Sequence, residues 1–320
     1  MKNTFNYFYC INKIINCSPR QLEGEKRTKD VLKEILEANG LLYFDQKFSL
    51  NIPRINKAYL KVDGVQLEDI QGCSFVGGKI IGKENILSSL IPSAHFIDKE
   101  NINFNPMCEG VSVGNHYFAP AIALGHDGLQ KVLNGKKIQG EVKVEKIKHS
   151  AVNILVGNRK NPKVICFAHY DSINMGAIDN ASGVALILKI AIKEKILLED
   201  VLLVFSAAEE LSFDYPVYWG QGFRVFEKQY LKIMQKAKKI IVVDCVGNGK
   251  AVCISEEKFL RLGFPILNIM TLSKKIILIS ADYTKLMTVY HSNLDDGRTM
   301  TEKHMDSAYK LLKQQMLMNI

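Results

Sequence analysis

The chain has 320 residues, 47% of them hydrophobic and 23% charged, an ordinary globular balance with room for one large domain or one large and one small. No run approaches the roughly 20 apolar residues that a membrane-spanning helix needs. The net charge of +9 is carried by scattered lysines, with short clusters such as Lys236, Lys238 and Lys239 and no aromatic-interleaved basic stripe, so it points to a solvated surface and not to a nucleic-acid partner.

In chain order, the segment MKNTFNYFYCINKIINC is mildly apolar but is broken by Asn6, Asn12 and Lys13 and has no small-residue cleavage site, so it is not read as a signal peptide. The seven cysteines form no CxxC pair and no zinc-finger spacing. Cys166 and Cys245 lie in or beside apolar runs, as buried thiols do, which makes a reducing, cytoplasmic compartment the expectation and secretion the alternative. Residues 22–39 predict an amphipathic helix, with Val31, Leu32, Ile35 and Leu36 at helical spacing and Gly40 at the C-cap. Residues 41–50 predict a strand. Residues 52–148 change texture: Gly72, Gly77, Gly78 and Gly82 punctuate short β-like runs (AYLKV, GCSFVGGKII, HYFAPAIAL, GEVKVEKI), with one helix over 127–134. A structureless excursion of that length would be unusual, so a small inserted β-rich domain is expected there.

From about residue 150 the pattern alternates. Short apolar strands are predicted at 163–168, 201–205 and 239–244, with helices at 181–195, 219–238 and 302–317. The expected fold class is α/β, a three-layer sandwich with a mostly parallel central sheet, formed by residues 20–51 and 149–320, with 52–148 as the inserted domain.

The residues just past each predicted strand carry the chemistry. His169-Tyr170-Asp171 comes after the first, Asp179-Asn180 lies in the next loop, Glu209-Glu210 comes after the second strand, Asp244 ends the third, and Tyr290-His291 and Asp295 come later. In an open parallel sheet such residues gather at the carboxyl ends of the strands. Imidazole and carboxylate are the usual ligands of catalytic zinc. Two metals need one bridging carboxylate and two further ligands each, a number this chain supplies. Singly, each element has a blander explanation: a structural His, a solvated Glu-Glu helix start, an Asp-Asn turn or N-cap. The ordered conjunction is what points to a metal site. His95, His116, His126, His149 and His304 match no motif and are taken as surface or core residues, and Tyr283 and Tyr290 as packing residues, with an oxyanion donor as the alternative.

The segments HYDS (169–172), GAIDNASGVA (176–185), AAEE (207–210), VVDCVG (242–247) and YHSNLD (290–295) resemble the di-zinc aminopeptidase family, whose relatives include glutamate carboxypeptidases and glutaminyl cyclases. The resemblance covers about residues 150–300. It implies two zinc ions, with cobalt or manganese as substitutes in vitro, and a zinc-exopeptidase fold. It makes Asp179 the bridging ligand, His169 and Asp244 the ligands completing one metal, and Glu210 and His291 those completing the other. It makes Glu209 the general base acting on a metal-bridging water, sets Asp171 and Asp295 behind the two imidazoles, and implies a cis peptide after Asp179. Peptides with a free N-terminus would be the substrates. A carboxypeptidase, a glutaminyl cyclase, or a non-catalytic binding protein on the same fold are the alternatives. The segment 116–145 also resembles the end of a protease-associated domain. The chain departs from the family between Asp244 and His291, a short stretch where only Leu262-Gly263-Phe264-Pro265 and, loosely, Ser280-Ala281-Asp282 match the pattern lining the specificity pocket.

Overall fold

The computed structural model describes residues 5–91 and 96–320, so His95 lies outside the described residues. In chain order the strands are β1 (Tyr43–Val62), β2 (Val65–Gln66), β3 (Ile70–Gly72), β4 (Gly78–Ile81), β5 (Ile86–Ser88), β6 (Asn101–Phe104), β7 (Ala121–Leu124), β8 (Ile138–Gly157), β9 (Val164–His169), β10 (Val201–Ser206), β11 (Lys239–Val243), β12 (Val252–Ile254) and β13 (Ile276–Ser280). The helices are α1 (Tyr7–Ile15), α2 (Glu23–Ala38), α3 (His126–Asn134), α4 (Ser182–Lys193), α5 (Gln221–Lys236), α6 (Glu257–Gly263), α7 (Ile269–Leu272), α8 (Tyr283–Met287) and α9 (Glu302–Leu317). Among the described residues no helix is long and apolar enough to cross a membrane.

The chain divides into two compact units, one of Met1–Leu50, Ser150–Tyr283 and Asp296–Ile320, the other of Asn51–His149 and Thr284–Asp295. In the first unit the strand order is β12-β13-β11-β9-β10-β8-β1. β13, β11, β9 and β10 are parallel, with β12 and β8 added antiparallel at their flanks. Every residue of β9 and β10 is buried, which is why both read as continuous apolar runs. One face of the sheet packs on an aromatic cluster. Phe167 of β9 lies 5.7, 5.0 and 4.9 Å, ring centre to ring centre, from Phe223, Phe226 and Phe264. Helix α2 buries Thr28, Leu32 and Leu36 on one stripe. It ends at Gly40, whose φ of 62° lets the amides of Gly40 and Leu41 close back on Glu37 and Leu36. Helix α9 is capped by Thr301, whose side chain accepts from the His304 amide.

The second unit holds a four-stranded sheet, β3-β7-β6-β5, in which β3 is antiparallel to β7 and the rest are parallel. β4 pairs antiparallel with the first half of β8, and β2 closes a hairpin with the end of β1. Leu60, Ile80, Ile102, Ile122, Leu124, Val132 and Val142 form its core.

The predicted helices over 22–39, 127–134, 181–195, 219–238 and 302–317 correspond to α2, α3, α4, α5 and α9. The run expected to be a strand over 41–50 instead starts at Tyr43 and continues, through Pro53, to Val62. Helix α1 and strand β13 are elements that the sequence reading does not give.

Candidate functional site

The loops that carry His169 to Asp179, Glu209-Glu210 and Asp244 leave the carboxyl ends of β9, β10 and β11, as the parallel order requires, while His291 and Asp295 follow α8. His169 is the last residue of β9 and is buried. Its Nε2 lies 3.2 Å from Asp179 Oδ1 and 3.4 Å from Asp244 Oδ1. Ligand atoms of His169, Asp179 and Asp244 all fall within 4.8 Å of one another, and so do those of His169, Glu209 and Glu210. One imidazole nitrogen facing two carboxylates is a donor set that suits a small divalent cation, and the residue types suit zinc.

Asp179 lies in the π-helical turn Ala177–Ala181 that precedes α4, and its peptide bond to Asn180 is cis. Asn180 anchors this turn: its Nδ2 donates to the Val243 carbonyl at the end of β11 (2.9 Å), and its Oδ1 accepts from the Gly183 amide (3.1 Å). The Asp244 amide donates to the Ile279 carbonyl of β13, and the Cys245 thiol lies 3.3 Å from Asp244 Oδ1.

Asp171, fully buried, does more than stand behind His169. Its Oδ1 lies 3.5 Å from His169 Nδ1, but the same carboxylate accepts from two consecutive amides, Glu209 N–H at 3.0 Å on Oδ1 and Glu210 N–H at 2.9 Å on Oδ2. It thereby pins the exit of β10 to the exit of β9. Burial opposes ionisation of Asp171, yet the facing His169 imidazole and the hydrogen bonds from these amides hold its carboxyl below the usual range. Glu209 goes the other way: burial lifts its carboxyl well above the usual range, Glu210, Asp171 and Asp244 adding to that and His169 opposing. For His169 burial disfavours the charged form, but the carboxylates of Asp171, Asp179 and Asp244 around its ring prevail and raise its pKa well above the ordinary value. A zinc ion binds the neutral imidazole, so it would take the place of that proton between the same carboxylates.

His291 and Asp295 belong to the second unit. His291 Nδ1 lies 2.8 Å from the Val113 carbonyl, and the Val113 amide donates back to the His291 carbonyl. A carbonyl can only accept, so Nδ1 carries the hydrogen and Nε2 is the nitrogen suited to a metal. Asp295, which the resemblance sets behind this imidazole, is buried in the same unit, its amide 3.3 Å from the Ser292 carbonyl. Tyr290 stacks on His291 at 3.8 Å. Tyr283 stacks on Phe259, and burial together with the charges of Cys245 and Asp244 raises its phenol. Burial pushes His116 down to about 3, with His291 adding to that.

Sequence reasoning missed the residues that brace these loops. Asn153 Oδ1 accepts from the Ala207 amide, and Glu25 Oε2 accepts from the Ala208 amide, just before Glu209. Glu25 had a signal: it lies seven and eleven residues before Leu32 and Leu36, a charge on the buried stripe of α2.

Comparison with known proteins agrees with the motifs. Residues 151–255 match the family model described as Peptidase family M28, and the resemblance to di-zinc aminopeptidases holds over that segment. The fold is similar to that of BSAP, a zinc aminopeptidase from Bacillus subtilis (15% identity, 98% of this chain and 94% of that one covered, TM-score 0.67). It is similar to an aminopeptidase from Aneurinibacillus sp. strain AM-1 (15% identity, 98% and 94% covered, TM-score 0.61) and to a glutaminyl cyclase from Porphyromonas gingivalis (14% identity, 98% and 97% covered, TM-score 0.53). No curated protein matches the chain by sequence.

Proposed function

We propose that the chain is a zinc-dependent aminopeptidase that removes N-terminal residues from peptides bearing a free amino group. One observation carries this reading: His169 Nε2 faces the carboxylates of Asp179 and Asp244 at 3.2 and 3.4 Å, beside Glu209 and Glu210, inside the segment that matches Peptidase family M28. In this reading His169 and Asp244 would hold one zinc ion, Glu210 and His291 would hold a second, and Asp179 would serve both. Zinc, when bound, supplies a Lewis acid for the scissile carbonyl and lowers the pKa of a water molecule.

The chain's own residues supply the rest. Glu209 accepts the proton of the attacking water and returns it to the leaving amine, a task for which a buried carboxylate of raised proton affinity is suited. Asp171 fixes where Glu209 and Glu210 stand by holding their amides. We assign residues 52–148 to a protease-associated-like domain, on the motif in 116–145.

The test pairs the wild type with Glu209→Gln, measuring metal content and release of aminoacyl-anilides. The variant keeps its metal and loses turnover by at least the ~10²–10⁴-fold that general acid–base catalysis supplies. Turnover retained in the variant refutes the assigned base. A filled metal site with no zinc- or cobalt-dependent turnover in the wild type refutes the aminopeptidase. The likeness in fold to the cyclase motivates a second assay on N-terminal glutaminyl peptides, where loss of ammonia without release of a residue favours cyclisation. Hydrolysis of N-blocked but not free-amine peptides favours a carboxypeptidase.

A further inference from the structure

The bulkiest of the fully buried side chains is that of Arg20, in a segment that no motif marks. Its Nε donates to the Tyr170 carbonyl at 2.7 Å. Its Nη1 donates to the Met175 carbonyl at 2.7 Å and to Ser18 Oγ at 3.2 Å. Its Nη2 donates to the Gly176 carbonyl at 2.9 Å and reaches the Asp171 carbonyl at 3.5 Å. One guanidinium therefore bonds to two loops at once: the exit of β9, which carries His169 and Asp171, and the turn through Met175 and Gly176 that leads into Asp179. The next residue joins in, since Gln21 Nε2 donates to Asp171 Oδ2 at 3.2 Å and to the Ser172 carbonyl at 3.4 Å.

Burying a permanent cation is costly unless its donors are met. Apolar packing could join two loops at lower cost, but it would not set the direction of their carbonyls. A planar fork of five N–H donors does, because each carbonyl must lie on its own donor axis. A lysine at the same place offers its donors from a single point and cannot span both loops.

We propose that Arg20, with Gln21 beside it, is a positioning residue of the metal site, setting the separation of the His169 imidazole from the Asp179 carboxylate. The metal part of this inference rests on the zinc reading above; the bracing of the two loops rests on the geometry alone.

The test uses the full chain as wild type, Arg20→Lys and Gln21→Met. Zinc affinity is measured by competition with a chromophoric chelator, the cobalt(II) d–d absorption spectrum is recorded, and thermal unfolding and steady-state kinetics are followed. Arg20→Lys should weaken zinc binding by about 10–100-fold, the range found for residues that support metal ligands, and change the cobalt spectrum. It should lower kcat more than it raises KM. Gln21→Met, at a half-buried position, removes the bonds to Asp171 Oδ2 and the Ser172 carbonyl and should weaken zinc binding by about tenfold and change the cobalt spectrum, whatever the shift in its unfolding midpoint. A purely structural role would lower the midpoint and leave affinity and cobalt spectrum as in the wild type, and that result from folded Arg20→Lys overturns the inference. Where Arg20→Lys does not fold, Gln21→Met decides, unaltered affinity and spectrum overturning the inference. A wild type that binds neither ion overturns the zinc reading and this inference with it, whereas a wild type that binds beside variants that bind equally well overturns this inference alone.

Discussion

Replacing Gly183 by alanine sets two effects against each other, and their magnitudes decide the outcome. Gly183 lies in the first turn of α4, where alanine gains about 1 kcal/mol of helix propensity over glycine. A Cβ there would sit 2.3 Å from Asn180 Oδ1 and 2.8 Å from the Val243 carbonyl oxygen. Neither neighbour can move cheaply. The Val243 carbonyl ends β11 and accepts from Asn180 Nδ2, while Asn180 Oδ1 accepts from the Gly183 amide itself. Displacing Asn180 leaves buried polar groups unsatisfied, at about 1–3 kcal/mol, and the overpacking costs about 1–3 kcal/mol more. After the helix gain is subtracted, the net loss is about 3 kcal/mol. At about 2–4 °C per kcal/mol for a unit of this size, the unfolding midpoint drops by roughly 6–12 °C in differential scanning calorimetry. Because Asn180 follows Asp179 directly, zinc affinity falls in the same variant. A midpoint at or above that of the wild type would show that the helix gain wins and would refute the account of Asn180 as the anchor of the Asp179 turn.

Asp171→Asn replaces one of two acceptors facing the Glu209 and Glu210 amides with a donor, so stability falls by about 1–3 kcal/mol and metal affinity falls with it, as urea melts and chelator competition will show; wild-type values in both would remove Asp171 from the site. Stripping the metal with a chelator lowers the unfolding midpoint and zinc restores it, by about 2.7 kcal/mol at 100-fold excess over Kd; a midpoint indifferent to zinc contradicts the zinc reading. Asp306 accepts from Lys189 and Tyr7, bonds that outweigh burial and hold its carboxyl below the usual range. A depressed carboxyl stabilises the fold above the unfolded value of about 3.9 and loses that contribution as pH falls through the folded value. Asp306→Asn is therefore less stable than the wild type at pH 7, by the modest amount expected of a half-exposed pair, and the gap closes on acidification; a gap that widens in acid would reverse the sign expected of a depressed carboxyl.

Strands β9, β10 and β11 were legible because they are buried and read as apolar runs, and His169, Glu209, Glu210 and Asp244 because each comes at or just after the end of such a run; Asp179 and His291, which follow no strand directly, stood out only through their motifs. Strand β1 was legible as two separate pieces, 41–50 and the run AYLKV, because Pro53 between them reads as a strand breaker although the chain passes through it extended. Helix α1 carries a usable signal, since Asn6 caps it and Tyr7, Cys10, Ile11 and Ile14 recur on one face, but a mildly apolar N-terminus competes with that signal by resembling a leader. The bracing by Arg20, Gln21 and Asn153 was not legible at all. Arg20 acts on backbone carbonyls about 150 residues along the chain and Asn153 on an amide some fifty along, bonds that leave no partner residue type to find, and Gln21 reaches the Asp171 carboxylate and the Ser172 carbonyl from about 150 residues away. Local periodicity can thus reveal which residues reach the strand ends, while what fixes them there depends on contacts made only by the folded chain.

Asp171 and Glu209 show how those contacts assign chemistry. Both are carboxylates, both are buried, and they share one cluster, so residue type and burial alone would give them the same behaviour. They part in opposite directions although burial lifts both and His169 lowers both: Asp171 also accepts two backbone N–H groups, whereas Glu209 has the charges of Glu210, Asp171 and Asp244 adding to its burial. In the proposed mechanism this difference corresponds to a division of labour between a fixed anion, Asp171, and a proton carrier, Glu209. The donors that make Asp171 the fixed anion are the amides of Glu209 and Glu210 themselves, so the hydrogen bonds that stabilise the anion also place the proton carrier. Loss of the anion therefore removes the placement of the base, while loss of the base leaves the anion's contacts whole. That asymmetry is what separates Asp171→Asn, which disturbs fold and site together, from Glu209→Gln, which disturbs the chemistry alone.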